Sequence, residues 1–225
     1  MSSPALLDAI ELDTGDNPTA AVIWMHGLGA DGNDFVGVVP QLGLPASLPV
    51  RFVFPHAPHQ PITCNNGYVM RAWYDILYFD EISRHADENG IRQALGWVAA
   101  LIADLNTRGI ASERIVLAGF SQGGAIAYTA GLTFPQKLAG IVALSTYWPA
   151  PALIAESTET INRATPVLAA HGVADPVVPF RLGEQARDQT EALGNPVQWA
   201  QYPMQHSVCV PEIQAIGAFL REVLS

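Results

Sequence analysis

Positive charge is scarce in this sequence. Only 11 lysine and arginine residues stand against 21 aspartate and glutamate residues, which gives a formal net charge of -10 at pH 7. A chain with this balance repels the phosphate backbone of nucleic acids and the anionic surface of membranes. The composition therefore argues against nucleic acid as a partner.

Cysteine and long apolar runs are also scarce. Two cysteines, Cys64 and Cys209, are too few for a disulfide framework and are not spaced as metal ligands. No uninterrupted apolar run reaches the roughly 18 residues that a membrane span needs, and the N-terminal stretch lacks the basic start and apolar core of a secretion signal. These absences predict a protein without stable membrane insertion, located in the reducing cytoplasm.

The sequence does contain enough apolar material for one large core. It has 225 residues, of which 49% are hydrophobic and 14% are charged, as is usual for a globular domain. We find no internal repeat, low-complexity tract or linker. We therefore expect residues 1–225 to form a single domain.

Short apolar runs that end in turn residues recur along the chain. Uninterrupted apolar strands are typical of a sheet covered on both faces, which is mostly parallel. These runs lie at residues 20–27, 51–55, 114–120, 138–145, 166–172 and 197–203. Helical spacing alternates with them, through Ile91, Leu95, Val98, Ile102 and Leu105 and again through Ile213, Ile216, Leu220 and Val223. The alternation predicts an α/β fold, a mostly parallel sheet with helices on both faces.

Two irregular segments interrupt this alternation. Residues 56–88 combine prolines and glycine with a cluster of aromatic residues, and residues 146–163 form a second long connection. Long connections in a compact domain usually form functional walls or lids, or they are disordered. Because the first segment is so rich in aromatic side chains, we expect it to be ordered.

The strongest motif is Gly119-Phe120-Ser121-Gln122-Gly123, between a predicted buried strand and a predicted helix. In that context a Gly-x-Ser-x-Gly motif forms a sharp turn that projects the serine hydroxyl above the sheet. The flanking glycines are needed because a Cβ would hold the strand and the helix apart. The motif predicts Ser121 as a nucleophile. The alternative is an ordinary glycine-rich turn that binds phosphate at the helix N-terminus, but no P-loop or dinucleotide fingerprint accompanies it.

A serine hydroxyl attacks efficiently only when a base takes its proton. Enzymes with this turn carry the residues in the order Ser, then Asp or Glu, then His. Only His171 and His206 follow Ser121, and His171 precedes the best acid candidate. That candidate is Asp175, which follows a buried strand at the sheet edge where ligands bind. We therefore predict Ser121, Asp175 and His206 as the catalytic residues.

Acyl transfer also needs hydrogen-bond donors for the developing oxyanion and an apolar pocket for the acyl chain. The N–H of Gln122, directly after the nucleophile, is one predicted donor. The other is the N–H of Leu28, in the loop MHGLG after an early strand. We predict that Leu28, Trp73 and Tyr74 line the acyl pocket. The alternative for Trp73 and Tyr74 is that they pack the irregular segment onto the body of the protein.

Three other functions are compatible with parts of this sequence. Peptide or lactone hydrolysis on the same turn is the nearest, because a fold does not decide a substrate. A metal hydrolase could use His26, His171, Asp175 and His206, but the sequence has no compact ligand motif, so we expect no metal. A non-catalytic binding module of the same shape usually lacks a catalytic residue, and none is missing here.

Five stretches in order resemble the carboxylesterase and acyl-protein thioesterase family, the small α/β-hydrolases without a large lid domain. The stretches are HGLGADGNDF, GYVMRAWYDI, LAGFSQGGAIA, HGVADPVVP and YPMQHSVC, and together they span nearly the whole chain. The resemblance implies the α/β-hydrolase fold. It also implies that Ser121, Asp175 and His206 form the triad and that Leu28 and Gln122 donate to the oxyanion.

The resemblance further implies a serine carboxylesterase that hydrolyses short- to medium-chain acyl esters or thioesters through an acyl-enzyme, without a cofactor. Acyl-protein thioesterase or lysophospholipase activity at the same site is the alternative. A homodimer is expected, with the active-site face partly in the interface. One position departs from the family: Gln205 stands where glycine usually precedes the histidine, and glycine adopts a positive φ more cheaply.

Overall fold

The apolar runs of the sequence become strands in the computed structural model, which describes residues 6–79, 84–157 and 160–225. The strands are β1 (Ala9–Asp13), β2 (Ala20–Met25), β3 (Val50–Pro55), β4 (His59–Ile62), β5 (Tyr68–Arg71), β6 (Ile76–Phe79), β7 (Arg84–Ala86), β8 (Ile115–Phe120), β9 (Gly140–Leu144), β10 (Val167–Gly172) and β11 (Val197–Tyr202). The α-helices are α1 (Glu88–Thr107), α2 (Gln122–Thr133), α3 (Pro151–Glu156), α4 (Phe180–Ala192) and α5 (Val210–Leu224).

Seven of these strands form one sheet in the order β1-β3-β2-β8-β9-β10-β11. Only the edge pair β1 and β3 is antiparallel among them; the other neighbours run parallel. The predicted fold class, a mostly parallel sheet without a large lid, is confirmed. Because parallel strands end at the same edge, the loops after β2, β8, β10 and β11 meet there.

Helices cover both faces of this sheet, as predicted. Alternate residues of β2 point to two separate cores, since successive side chains of a strand point to opposite faces. One core contains buried side chains of α1, α2, α3 and α4, and the other contains those of α5 and of a 3-10 helix at Val36–Leu42. Burial on both faces explains why the central strands are apolar without interruption.

The first long helix begins and ends at residues with recognisable roles. The carboxylate of Asp87 accepts hydrogen bonds from the N–H groups of Asn89 and Gly90, both at 3.0 Å, and so caps α1. After its last turn Gly109 adopts a φ of 89°, a left-handed conformation that commonly ends a helix and that glycine adopts without strain. Within the described ranges, none of the helices combines the length and the apolar content needed to cross a bilayer.

The two irregular segments contain more regular structure than the sequence indicated. The first holds the hairpins β4–β5 and β6–β7, and the second holds the short helix α3. The carboxylate of Asp75 accepts a 2.7 Å hydrogen bond from the N–H of Thr63 and so joins the two hairpins. Residues 80–83 and 158–159 of these segments lie outside the described residues.

Candidate active site

Ser121 lies at the turn between β8 and α2. Its backbone has φ 54° and ψ -118°, a conformation that residues other than glycine rarely adopt. Its N–H donates to the carbonyl of Leu144 (2.9 Å), and its carbonyl accepts from the hydroxyl of Thr146 (2.7 Å). Strained backbone of this kind persists only where its surroundings hold it in place. The neighbouring strand β9 and the residues after it therefore help to fix the serine.

The two flanking glycines permit this turn. A Cβ on Gly119 would overlap the backbone of Gly123, and a Cβ on Gly123 would overlap the carbonyl oxygen of Met25 at the end of β2. The strand and the helix thus approach so closely that neither position has room for a side chain. Both flanking glycines of the Gly-x-Ser-x-Gly motif are therefore required by the close contact of backbones.

Asp175 and His206 are joined by a hydrogen bond of 2.7 Å between Oδ2 and Nδ1. The other carboxylate oxygen of Asp175 accepts the N–H groups of Val177 (2.8 Å) and Val178 (2.9 Å). Burial favours the neutral acid, but hydrogen bonds from the imidazoles of His171 and His206 and from the N–H of Val178 outweigh it and hold the pKa of Asp175 well below its ordinary value. The carboxylate is therefore ionised and oriented toward the imidazole.

The loops that carry these two residues are fastened to each other. The N–H of Val173 donates to the carbonyl of Tyr202 (2.9 Å), and that of Ala174 donates to the carbonyl of Met204 (3.1 Å). A Cβ on Gly172 would overlap the backbone carbonyls of the second loop, including that of Gln205. The described non-glycine residues with positive φ do not include Gln205. The turn before the histidine therefore has no need of a glycine here.

His206 lies beside the turn that carries Ser121 and contacts Phe120 there. The Phe120 ring, one residue before Ser121, lies against the imidazole with 4.6 Å between ring centroids. Within the described ranges no hydrogen bond joins the hydroxyl of Ser121 to this imidazole. Such bonds are often long or misaligned before substrate binds. The structure thus brings Asp175 and His206 into direct contact and places Ser121 at the same edge.

Two backbone N–H groups beside Ser121 have no acceptor among the described residues. One belongs to Gln122, at the first turn of α2, where helix N–H groups lack partners within the helix. The other belongs to Leu28, whose neighbour Gly27 packs against the serine, since a Cβ on Gly27 would lie 3.4 Å from the Cβ of Ser121. These are the two predicted oxyanion donors, and both are available to a ligand.

A small cavity of about 60 Å³ opens beside the serine. Its lining consists of Leu28, Ile76, Ser121, Gln122, Tyr147, Val177 and Val178. The sequence predicted Leu28 for this lining and did not name Ile76, Tyr147, Val177 or Val178 individually. Ile76 and Tyr147 do lie in the irregular segments expected to form walls, whereas the sequence gave no signal for the direction in which the two valines point.

Trp73 and Tyr74 are fully buried and do not belong to the residues that line this cavity. The indole N–H of Trp73 donates to the carbonyl of His26 (2.9 Å), and the hydroxyl of Tyr74 lies 2.9 Å from that of Tyr147. The side-chain amide of Gln122 accepts from the N–H of Trp73 (2.8 Å) and donates to the carbonyl of Tyr74 (2.7 Å). The structure places both aromatic residues behind the wall, where they support its lining.

The metal-hydrolase alternative depends on converging ligands. Across residues 6–79, 84–157 and 160–225, no group of three or more His, Cys, Asp or Glu side chains has an arrangement that could hold a metal ion. His26, one member of that set, accepts the N–H of Ala57 (3.1 Å) at Nε2, and its Nδ1 lies 2.8 Å from the carbonyl of Gly27. Burial lowers the pKa of this imidazole. His26 is thus engaged in holding the loop after β2.

Comparison with known sequences gives a consistent result. The sequence profile described as Phospholipase/Carboxylesterase matches residues 10–224. The acyl-protein thioesterase 1 of Neurospora crassa is 43% identical over 214 residues, which cover 92% of this chain and 87% of that protein. The acyl-protein thioesterase 1 of Mycosarcoma maydis is 41% identical over 225 residues and 94% of both chains.

Solved structures give the same picture at lower identity. Arabidopsis thaliana SOBER1 superposes with a TM-score of 0.85 at 30% identity, over 92% of this chain and 99% of that one. Zea mays acyl-protein thioesterase 2 superposes with a TM-score of 0.83 at 26% identity, over 97% and 100% of the two chains. In each case the similarity extends over nearly the whole molecule.

Proposed function

The chain belongs to the phospholipase/carboxylesterase family and is a serine ester hydrolase, and we propose that it cleaves short- to medium-chain acyl esters with Ser121 as nucleophile, His206 as base and Asp175 as orienting acid. The observation that carries the proposal is the 2.7 Å contact between Asp175 and His206 at the edge where the strained turn projects Ser121. No cofactor takes part in this chemistry.

The proposed reaction has two halves. The Ser121 oxygen attacks the acyl carbonyl while His206 takes the hydroxyl proton, and the imidazolium then gives this proton to the leaving alcohol. Water, deprotonated by the same imidazole, attacks the acyl-enzyme carbonyl; the imidazolium then returns the proton to the Ser121 oxygen as its bond to the acyl group breaks, which releases the carboxylic acid and restores the serine. Asp175 keeps Nδ1 of His206 protonated and stabilises the cation, so that Nε2 is the nitrogen that exchanges protons with the substrate.

The two unpartnered N–H groups support this reaction. In the tetrahedral intermediate the carbonyl oxygen becomes negative, and donors already aimed at that position stabilise it without reorganisation. The N–H groups of Leu28 and Gln122 flank Ser121 and have no competing acceptor within the described part of the chain. Each such donor contributes about 3 to 4 kcal/mol to the lowering of the barrier in enzymes of this kind.

A thioester substrate is the second candidate, and the similar proteins favour it. Relatives of 43% and 41% identity are acyl-protein thioesterases. The same nucleophile and oxyanion donors serve both substrates, because only the leaving group differs. An oxygen ester and a thioester with the same acyl chain distinguish the two: a higher kcat/KM for the thioester identifies this chain as a thioesterase.

Assembly and location form a separate part of the proposal. We propose that one domain of residues 1–225 acts as a homodimer in the cytoplasm, with part of the active-site face in the interface. Val177 at the cavity is 51% exposed, and Tyr78, two residues after Ile76 in β6, is 52% exposed. Apolar exposure of this kind near a site favours a covering partner. Light scattering across protein concentrations tests the dimer, and a constant monomer mass contradicts it.

The test of the catalytic proposal is replacement of the serine. Ser121→Ala is expected to lower kcat by about 10⁶-fold, because the three residues act as one unit, and to abolish labelling by a fluorophosphonate. Ser47→Ala, on an exposed turn, is the matched control and keeps full activity and labelling. Retained turnover in the first variant, or a label found on another residue by peptide mapping, contradicts the proposal; no labelling of the parent protein favours a non-catalytic binding module.

A further inference from the structure

His171 lies behind the proposed acid Asp175 and takes no part in the proposed reaction. It is the next-to-last residue of β10 and is fully buried. Its Nε2 lies 2.9 Å from the carbonyl oxygen of Val178 and 3.5 Å from Oδ2 of Asp175. Asp175 Oδ2, which faces His206 at 2.7 Å, thus lies between two imidazoles.

The environment of His171 fixes where its proton resides. Nδ1 is buried and has no hydrogen-bond partner among the described residues. It packs directly on Gly183 of α4, where even a Cβ would overlap it. A proton on Nδ1 would be buried without an acceptor, which is costly, whereas a proton on Nε2 meets the Val178 carbonyl. The imidazole is therefore held with its N–H at Nε2.

The Nε2–H group of His171 stabilises the short loop at residues 175–178 from its buried side. Val178 accepts from His171 through its carbonyl and donates to Asp175 through its N–H at 2.9 Å. The same loop donates a second N–H, that of Val177, to Asp175 at 2.8 Å, and both valines line the cavity beside Ser121. A shift of the loop would therefore move the carboxylate and the cavity wall together.

The packing around His171 contains few other charges. The Phe180 ring of α4 meets the imidazole edge-on at 5.8 Å between centroids, and the Trp199 ring of β11 lies 6.5 Å away. The Arg187 guanidinium lies 5.0 Å from the centroid of that Trp199 ring. Asp175 is the one carboxylate that the described structure places within ion-pair distance of the His171 ring.

We propose that His171 is a positioning residue for ester hydrolysis: its Nε2–H, locked by the packing of Nδ1 on Gly183, holds the loop at residues 175–178 so that Asp175 faces His206. This inference rests on the proposed catalytic roles of Asp175 and His206. A displacement of a catalytic group by about 1 Å can cost about 10²-fold in rate, so the expected effect of losing this support is large for a residue that touches no substrate.

The test compares two replacements at position 171. His171→Met fills the space without a donor and is expected to lower kcat by about 10²-fold. The rising limb of kcat/KM against pH should shift to lower pH, because the carboxylate is no longer held against the imidazolium of His206. His171→Gln, whose amide nitrogen reaches the place of Nε2, is expected to recover most of the loss and the parent pH profile.

A double-variant cycle separates this inference from the catalytic proposal. If His171 acts through Asp175, His171→Met lowers kcat by less than about threefold when Asp175 is already asparagine. A full additional loss in that background, or parent-like kcat and pH profile in His171→Met alone, overturns the positioning role. Parent-like activity of Asp175→Asn overturns the catalytic proposal instead.

Gly183→Ala tests the same inference independently if His171→Met does not fold. Its methyl group overlaps Nδ1 and displaces the ring, so it should lower kcat and shift the pH limb in the same direction. Gly37→Ala, at a glycine with open space around it, is the matched control. Unchanged kcat and an unchanged limb in folded Gly183→Ala contradict the inference.

Discussion

The side chain of Gln122 holds the backbone of Trp73 from the position directly after the candidate nucleophile. Its amide oxygen accepts the N–H of Trp73 at 2.8 Å, and its amide nitrogen donates to the next carbonyl, that of Tyr74, at 2.7 Å. One residue thus offers its backbone N–H to the site and uses its side chain to fasten the segment behind the cavity. Hydrogen bonds of Gln122 therefore connect the strained turn at Ser121 to the backbone of Trp73 and Tyr74.

Gln122→Ala should therefore destabilise the protein while keeping the backbone donor. Two buried backbone groups lose their partners, and each costs roughly 1 to 3 kcal/mol. Urea denaturation is the measurement, with an expected loss of at least about 2 kcal/mol in the free energy of unfolding. Gln198→Ala removes an exposed amide that donates to Glu222 and is the control, expected within about 0.5 kcal/mol of the parent. Equal free energies of unfolding for Gln122→Ala and Gln198→Ala would contradict a stabilising role for the hydrogen bonds of the Gln122 side chain.

Gly123→Ala should disrupt the nucleophile turn. The added Cβ overlaps the carbonyl oxygens of Met25 and His26, which belong to backbone and cannot rotate away. We expect kcat to fall by at least about 10²-fold through displacement of Ser121, together with a lower melting temperature. Gly37→Ala is the control because nothing lies within 4 Å of its added methyl group. A Gly123→Ala variant with parent activity would show that the close approach is unimportant.

Ile76→Ala should extend the range of acyl chains that the enzyme accepts. Ile76 lines the cavity of about 60 Å³, and its truncation opens space next to Ser121. A methylene that gains burial there contributes about 0.8 kcal/mol, or roughly fourfold in kcat/KM. A series of nitrophenyl esters measures the shift toward longer chains. Ile161→Ala, at a half-exposed surface position, should keep the parent profile; an identical profile for both variants contradicts the lining role.

Much of this architecture could be predicted because the sheet is covered on both faces. Burial on both sides makes the central strands continuously apolar, and glycines mark the places where backbones touch. The edge strand β1 was missed because AIELD is short and mixes charged with apolar residues, as a half-exposed edge does. The hairpins at residues 59–71 and 76–86 were missed because their residues are too few for a clear period.

The candidate site likewise contains residues that the sequence could indicate and side-chain directions that it could not. Ser121, Asp175 and His206 could be named because each follows a strand in a fixed chain order. The direction of a side chain within a loop has no such signal. Trp73 and Tyr74 were expected at the cavity surface and lie behind it, because Gln122 holds their backbone and the indole N–H of Trp73 donates to the carbonyl of His26. The role of His171 depends on a contact with Gly183, which periodicity does not reveal.

Glu212 provides a prediction about stability and pH. It lies in the first turn of α5, six residues after His206, and is fully buried. Its carboxylate oxygens accept no side-chain hydrogen bond among the described residues, and the backbone N–H of Cys209 offsets the effect of burial only in part. Burial raises the pKa of Glu212 to about 8. The folded protein therefore retains this proton at neutral pH, whereas the unfolded chain releases it near the ordinary value of 4.5.

The sign of the effect follows from proton binding. Between pH 4.5 and about 8 the folded state binds more protons than the unfolded state, so the stability contributed by this group is complete below 4.5 and is lost as the pH rises toward 8. Glu212→Gln removes the titrating group. Its stability relative to the parent should increase between pH 5 and pH 8 by roughly 3 kcal/mol, with a limiting slope of about 1.4 kcal/mol per pH unit.

Urea denaturation at several pH values measures this difference. Glu191→Gln, at an exposed position on α4, is the control and should follow the parent across the range. Because Gln matches Glu in shape and is neutral, a cavity or a packing change does not account for a pH-dependent gain. A constant difference between Glu212→Gln and the parent from pH 5 to pH 8 would mean that Glu212 is ionised in the folded protein and has a partner within its buried site.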